Sequence, residues 1–433
     1  MTEEFNQFAQ KGFLKERLDA LAARRGFNNI AVGICVSGAT TFAATTVDDA
    51  DYSSWSEHST VLSGCITKAI TATLISCAVA EGRVTLQDDV GALLDDERAK
   101  GIELRHLLSH THGVDGSLIE RSPYRDDRMI DARALCDAAF RAQSLSKPGE
   151  HFNYGSLGPW LAAAVLERLY QLPYAKILLI QLHDKVRYST DDNANHDPSR
   201  AHICPATGGS LRVSGDNLAN LLRLHFASAQ SAPGDAEHSL ALMHETRFKL
   251  NCWQPKIREI ALGWNGFNEG WFGHGAMMHG DSAIIRFQPS TAVGIVITAS
   301  REEAASATLS ALFAHLLPEF KTVRAPEYLS KEAWLDADTT PYVGTFASAS
   351  LRVTIDVAAN RSLRSRVYKN HDGHASETEE PYVKRYLKPA VGDLFISTPA
   401  EPLVIPYINF LSRDASGRYA HLYTGKQLLR RID

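Results

Sequence analysis

One stretch of this chain has almost no place for water. It runs Leu62-Ser63-Gly64-Cys65-Ile66-Thr67-Lys68, continues as Ala69-Ile70-Thr71-Ala72-Thr73-Leu74-Ile75-Ser76-Cys77-Ala78-Val79-Ala80-Glu81, and stops at Gly82. Its body contains neither Pro nor Gly, and after Lys68 no charge follows until Glu81. Such a segment reads as a helix that is apolar nearly all round, placed inside a core and ended by a glycine suited to a left-handed cap. Cys65 and Lys68 stand three residues apart at the first turn, so they share a face where unpaired backbone N–H groups and the helix dipole favour negative charge. A cysteine there tends towards the thiolate, and a neighbouring lysine is either its cationic partner or its proton acceptor. Cys65 is therefore the candidate nucleophile.

The run Gly64-Cys65-Ile66-Thr67-Lys68 is followed by Glu81-Gly82, Leu86-Gln87-Asp88-Asp89-Val90 and Leu104-Arg105-His106-Leu107-Leu108-Ser109-His110-Thr111. Together these resemble the opening of a serine β-lactamase-like protein, of the branch that holds class C β-lactamases, DD-peptidases, family VIII esterases and related acyltransferases. The resemblance implies an α+β fold, a β-lactamase/transpeptidase-like antiparallel sheet flanked by helices, and acyl transfer through a covalent acyl-enzyme. Family members carry Ser-x-x-Lys at this point, whereas here cysteine takes the place of serine. The departure implies a thioester intermediate on Cys65.

Two later motifs fit the same frame. Phe152-Asn153-Tyr154-Gly155-Ser156 follows Lys147-Pro148-Gly149 and precedes an apolar helical run from 160 to 170. It resembles the family's Tyr-x-Asn, which implies that Tyr154 takes or relays the nucleophile's proton, with Lys68 available to stabilise its anion. Ser156 stands where the family has asparagine and keeps a hydroxyl for Lys68 or a substrate carbonyl. His274-Gly275-Ala276, after Gly263-Trp264 and Trp271-Phe272-Gly273, resembles the His-x-Gly of esterases and peptidases, with alanine for the last glycine, and should lead into an edge strand. By register with the family, the oxyanion hole is expected from the backbone N–H groups of Cys65 and Met277, with Gly275 and Ala276 beside the acyl group and His274 orienting substrate or Tyr154. His106, His110 and His112 invite a zinc reading, but the first two belong to the family's structural turn, and no metal or cofactor is expected.

Residues 1–325 read as the catalytic domain. An amphipathic helix over 5–25 leads to strands near 29–36 and 41–47, mostly helical segments fill 83–200 around a polar loop at 189–198, and Cys204-Pro205-Ala206-Thr207-Gly208-Gly209 forms a turn before a helix at 215–225. Strands near 283–287 and 292–298 and an Ala-rich helix at 302–317 that ends at Pro318 complete it. After a linker at 322–338, residues 338–433 show short β-like runs at 342–346, 351–357, 394–397, 408–411 and 418–424. This all-β module, opening on Tyr342-Val343-Gly344-Thr345-Phe346, resembles the lipocalin-like C-terminal domain of β-lactamase-like esterases and peptidases. It either braces the first domain or shapes the substrate entrance.

Composition narrows the partners. A net charge of −5 over 433 residues, with no basic excess or charge block, gives no reason to expect nucleic acid or an anionic membrane. The N-terminus has neither a basic nor an apolar leader-like region, and no apolar run is long enough to span a bilayer, so the expectation is a cytoplasmic protein acting on a small-molecule acyl donor and acceptor. The six cysteines lie far apart without paired spacing, as reduced thiols do. Three readings are compatible: an acyltransferase or amide synthase, an ester or amide hydrolase, and a catalytically silent binding protein. Retention of the costly polar set Lys68, Tyr154 and His274 speaks against the third.

Overall fold

A computed structural model describes residues 2–45, 55–116, 129–141, 143–186, 189–190, 211–232, 238–245, 248–321, 338–359, 361–370, 380–390, 392–398 and 407–433. The linker at 322–337, the turn at 204–210 and the polar loop over 191–198 lie outside them.

The catalytic domain is built on an eight-stranded antiparallel sheet. Its order is Ala39–Thr45, Ile30–Val36, Val293–Ala299, Asp281–Gln288, Phe272–Met278, then the two-residue strands Asn265–Gly266, Glu259–Ile260 and Phe248–Lys249. Both faces of the central strands are apolar because helices cover both. On Asp281–Gln288, Ile284 belongs to one core while Ala283, Ile285 and Phe287 belong to the other, as the two-residue period of a strand requires. One face packs on Thr2–Phe8, Lys11–Arg25 and Ala304–Phe313; the other packs on Ile66–Ala80, Leu157–Tyr170 and Gly215–Ser228.

Two helices differ from expectation. The amphipathic run at 5–25 is two helices, because Gln10 is extended (φ −78°, ψ 117°), and the break brings the rings of Phe8 and Phe13 edge to face at 5.2 Å. The Ala-rich helix covers only Ala304–Phe313, and Pro318 opens a short helix, Pro318–Lys321, instead of closing the long one. A ring-fixed φ and a missing N–H are tolerated at that first position.

The C-terminal module is a closed barrel of eight antiparallel strands, Gly344–Ala347 to Leu428–Arg431. It docks on the first domain through a shared apolar cluster, Leu145, Phe152, Cys252 and Ile260 against Leu411, Tyr423 and Leu428, and through polar contacts. Asp115 accepts from the Ala349 N–H at 2.6 Å, Asn153 Oδ1 accepts from the Leu428 N–H at 3.1 Å, and the His421 ring lies 2.8 Å from the Leu145 carbonyl. His421 also packs on His151, ring centres 4.6 Å apart.

Candidate active site

The helix that carries the first motif spans Ile66–Ala80. Buried threonines fit its apolar surroundings because they bond back to the helix: Thr71 donates to the Thr67 carbonyl at 3.0 Å and Thr73 to that of Ala69 at 2.9 Å. It ends as the sequence suggests. Gly82 is left-handed (φ +68°), its N–H donates to Val79 O, and the Arg83 N–H donates to Ala78 O, closing a Schellman motif.

Cys65 sits immediately before this helix and is partly exposed. Among the described residues nothing accepts its backbone N–H, so one donor stands free where an oxyanion would need it. Gly64 makes the approach possible: at φ +45°, a Cβ built on it would lie 2.9 Å from the Ala276 Cβ. Ala276 thus brings the strand Phe272–Met278 against the turn that carries Cys65. Gly263 (φ +76°) does the same from behind the helix, within 2.9 Å of the Ala69 Cα for such a Cβ.

Lys68 is only 3% exposed, and its Nζ donates to Cys65 Sγ at 3.3 Å. The same ammonium lies over the Tyr154 ring, 5.1 Å from its centre. Tyr154 is held well above its ordinary pKa, first by burial and then by the charge of, and hydrogen bond to, Cys65. The phenol therefore stays protonated and donates towards the sulfur; Lys68 meets the face of the ring. Burial is the largest cause of this shift and keeps the hydroxyl protonated at rest.

His274 completes the cluster. Its ring centre is 6.2 Å from that of Tyr154, and burial and the nearby Lys68 charge lower its pKa to about 3, so the imidazole is neutral. Its Nδ1 lies 3.0 Å from the N and 2.9 Å from the O of Gly275, which occupies that nitrogen with its own backbone. Behind it, the Arg286 guanidinium donates to His274 O at 3.2 Å and to buried Glu319 at 2.7 Å. The strand Phe272–Met278 is an edge only in its second half, since Asn265–Gly266 pairs with Gly273 and Phe272 alone. Met277 lies in that open half, with its side chain 60% exposed. Ser156 precedes the Leu157–Tyr170 helix without capping it, and its hydroxyl has no partner among the described residues.

His110, read from sequence as structural, is part of the site. Its ring is 4.7 Å from Tyr154, and burial followed by the Lys68 charge holds it far below the ordinary imidazole range. His106 and His112 point their Nδ1 atoms at backbone N–H groups of Glu103 and Val114 and do not join it. Beside Tyr154 a polar cavity of about 250 Å³ runs between His112, Asp115 and Ser156 of the catalytic domain and Lys426 and Gln427 of the barrel. Sequence separation of about 270 residues hid the barrel side of this cavity; no local signal in Lys426-Gln427 points to it.

The beta-lactamase family model matches residues 14–317. The chain belongs to that family. Its members work through acyl-enzyme chemistry, and the helix, sheet and C-terminal barrel just described are the family's transpeptidase-type fold with an all-β domain added. Among solved structures, SurE in a crystal with D-Leu is similar at a TM-score of 0.76 and 22% identity, over 98% of this chain and 100% of that one. The octameric penicillin-binding protein homologue from Pyrococcus abyssi gives 0.59 and 15% over 97% and 99%. A class C beta lactamase from Rhodobacter sphaeroides gives 0.54 and 15%, over 69% of this chain and 96% of that one. No curated protein matches the sequence. Among the described residues no helix is long and apolar enough to cross a membrane.

Proposed function

We propose that this family member is an acyltransferase, an amide-forming enzyme that works through a thioester on Cys65. The observation that carries the reading is the contact between Lys68 Nζ and Cys65 Sγ at 3.3 Å under a protonated Tyr154. In the acylation step the Cys65 thiolate attacks the carbonyl of an ester, thioester or amide donor. The carbonyl oxygen gathers negative charge between the N–H groups of Cys65 and Met277. The donor's leaving group departs with a proton passed from Tyr154, which Lys68 replaces, and the thioester remains with Lys68 neutral. In the second step an amine attacks the thioester, its proton returns through Tyr154 to Lys68, and sulfur leaves as thiolate. Protons and charge balance over the cycle.

Neutral His274 and His110 suit this role, since a second cation beside Lys68 would compete with it for the sulfur. Ser156, Gly275 and Ala276 line the acyl position in this reading. Amines attack thioesters far more readily than oxoesters relative to hydrolysis, so cysteine in place of serine biases the intermediate towards transfer. The neighbour crystallised with D-Leu was solved with a molecule that carries an amine, the class of acceptor required. Hydrolysis is the second reading, favoured by the usual activity of the family.

The test offers a thioester donor with a panel of amines at millimolar concentration. Intact mass should show an acyl adduct that maps to Cys65, and amide should exceed free acid for at least one amine. An adduct elsewhere, or none, rejects the nucleophile. Hydrolysis dominating with every amine, with faster turnover in Cys65→Ser, leaves a hydrolase.

A further inference from the structure

In the acyl-transfer reading the two N–H groups that hold the oxyanion come from different elements, Cys65 from the turn before its helix and Met277 from the strand Phe272–Met278. The span between them is set by whatever ties the turn to the strand. Part of the tie is packing: a Cβ built on Gly64 would meet the Ala276 Cβ at 2.9 Å and the Met278 Cβ at 3.8 Å, on the residues either side of Met277. Such contact limits approach and does little against separation. A directional bond is needed for that.

Asp281 supplies one. It pairs with Met278 across His279-Gly280, whose φ values of +49° and +87° are those of a type I′ turn. A two-residue hairpin closes on a hydrogen-bonded pair, so at the next pair, Met277 with Ser282, the Met277 N–H points out of the hairpin towards its open edge. From the foot of the same turn the Asp281 carboxylate, 16% exposed, accepts the Leu62 N–H at 2.9 Å. Leu62 ends the strand Thr60–Leu62, three residues before Cys65. Successive N–H groups of a strand point to opposite sides; that of Ser63 donates to the Leu211 carbonyl at 2.8 Å, which leaves that of Leu62 facing the hairpin. Arg212 steadies the carboxylate. Its Nη2 lies 3.6 Å from Asp281 Oδ2 and donates to the Thr60 carbonyl at 2.7 Å, while its Nε donates to Thr60 Oγ1 at 3.0 Å.

We propose that Asp281 is a positioning residue for acyl transfer, holding the Cys65 N–H at the span from the Met277 N–H that a tetrahedral oxyanion requires. It acts through Leu62 and the turn rather than on the reacting atoms, and the proposal rests on the acyl-transfer reading of Cys65. Acylation passes through an oxyanion; alkylation of the same sulfur by iodoacetamide is a displacement at carbon that forms none. The two rates on Cys65 therefore separate the tie from the nucleophile. In single-turnover reactions with p-nitrophenyl acetate the thiolate takes the acetyl group and p-nitrophenolate leaves. Asp281→Ala should acylate Cys65 about 10²-fold more slowly than wild type, the scale of a misplaced oxyanion donor, with its iodoacetamide rate unchanged. Asp281→Asn keeps an oxygen for the Leu62 N–H and should recover to within about tenfold of wild type. Where Asp281→Ala does not fold, Asp281→Glu takes its place: the charge stays, the extra methylene displaces the oxygens, and the same split between the two rates is expected. Acylation at the wild-type rate in the folded variant overturns the proposal, as does a parallel loss of alkylation, or an Asp281→Asn that is no faster than the variant it should rescue. A wild type that forms no acetyl adduct on Cys65 rejects the acyl-transfer reading itself, and this proposal with it.

Discussion

Lys68 Nζ lies 3.3 Å from Cys65 Sγ across a single helical turn, in a place where the lysine is almost fully removed from water. A buried ammonium is costly unless it is paired, and among the described residues it donates to the sulfur. The helix register that makes residues three apart neighbours therefore brings the two together; the Lys68 ammonium also lies over the Tyr154 ring, which packs on His110.

That pairing separates Cys65 from the other described thiols. Burial raises Cys35 to about 11 and Cys136 and Cys252 to about 12, and raises Cys77 as well. At neutral pH fewer than roughly one in a thousand of the first three is a thiolate. Iodoacetamide at pH 7.5 followed by peptide mapping should therefore label Cys65 first. Labelling of Cys35 or Cys136 at the same rate removes the nucleophile assignment.

Tyr154→Phe keeps the ring that packs on His110 and receives Lys68, and deletes only the hydroxyl that faces the sulfur. Turnover should drop by about 10²-fold or more, the scale of a lost proton-transfer group, with Tm little changed. Lys68→Ala should cost at least as much. Single-turnover acylation rates decide the matter: values within a few-fold of wild type in both variants would show that neither residue moves the proton.

Much of this is legible in the sequence alone. The buried helix announced itself because Ile66 to Ala80 is apolar on every side, and the register of its first turn brought Cys65 and Lys68 together. The barrel was half visible. Leu351–Val357 and Tyr407–Arg413 carry apolar runs, but Leu363–Lys369 and Val383–Pro389 turn Arg364, Arg366, Lys384 and Lys388 outward, and alternation with so many charges does not stand out from loop. The role of His110 and the barrel's contact with Asn153 were invisible because both depend on residues brought close only by the fold.

Gly64 gives a test of the approach between the nucleophile turn and the strand. Gly64→Ala places a methyl 2.9 Å from that of Ala276 on a backbone already at φ +45°. Overpacking of this kind costs about 1–3 kcal/mol, and here it would move the two backbones that flank the acyl carbon in the proposed reaction. The variant should lose far more in kcat than its fall in Tm explains. A variant that is destabilised but turns over normally would mean that this contact does not set the site.

Arg286 and Glu319 support the strand from behind, and their energetics follow from burial. Glu319 is 1% exposed, so removing its partner with Arg286→Leu leaves a carboxylate without its cation, a loss of about 3–5 kcal/mol. Arg286→Leu with Glu319→Leu should recover much of that. Denaturant melts of both variants and the Glu319→Leu single variant give the coupling energy; a sum of the single effects equal to the double would show no pairing.

Stability should rise with pH between about 4 and 6.5. His112 titrates near 4 and His274 near 3 in the folded chain because both are buried, and burial holds His110 well below its ordinary range too. Unfolding returns each to the ordinary value near 6.5, so in that window the unfolded state binds more protons, and each group adds a slope of about 1.4 kcal/mol per pH unit. Stability is thus lost as pH falls through 6.5 and the loss ends below each folded value. Glu167 opposes this: burial raises it to about 7, so over roughly pH 4.5 to 7 it binds a proton more tightly folded than unfolded and subtracts one such slope. These three histidines, joined by His106, His151, His225 and His421, which burial also lowers, outweigh one raised carboxyl and leave a positive sum. Melting between pH 5 and 7 should show Tm rising, more steeply in Glu167→Gln and less steeply in His112→Asn. A Tm that falls over the same range, or a slope that neither variant alters, would mean that these buried groups do not control the acid limb.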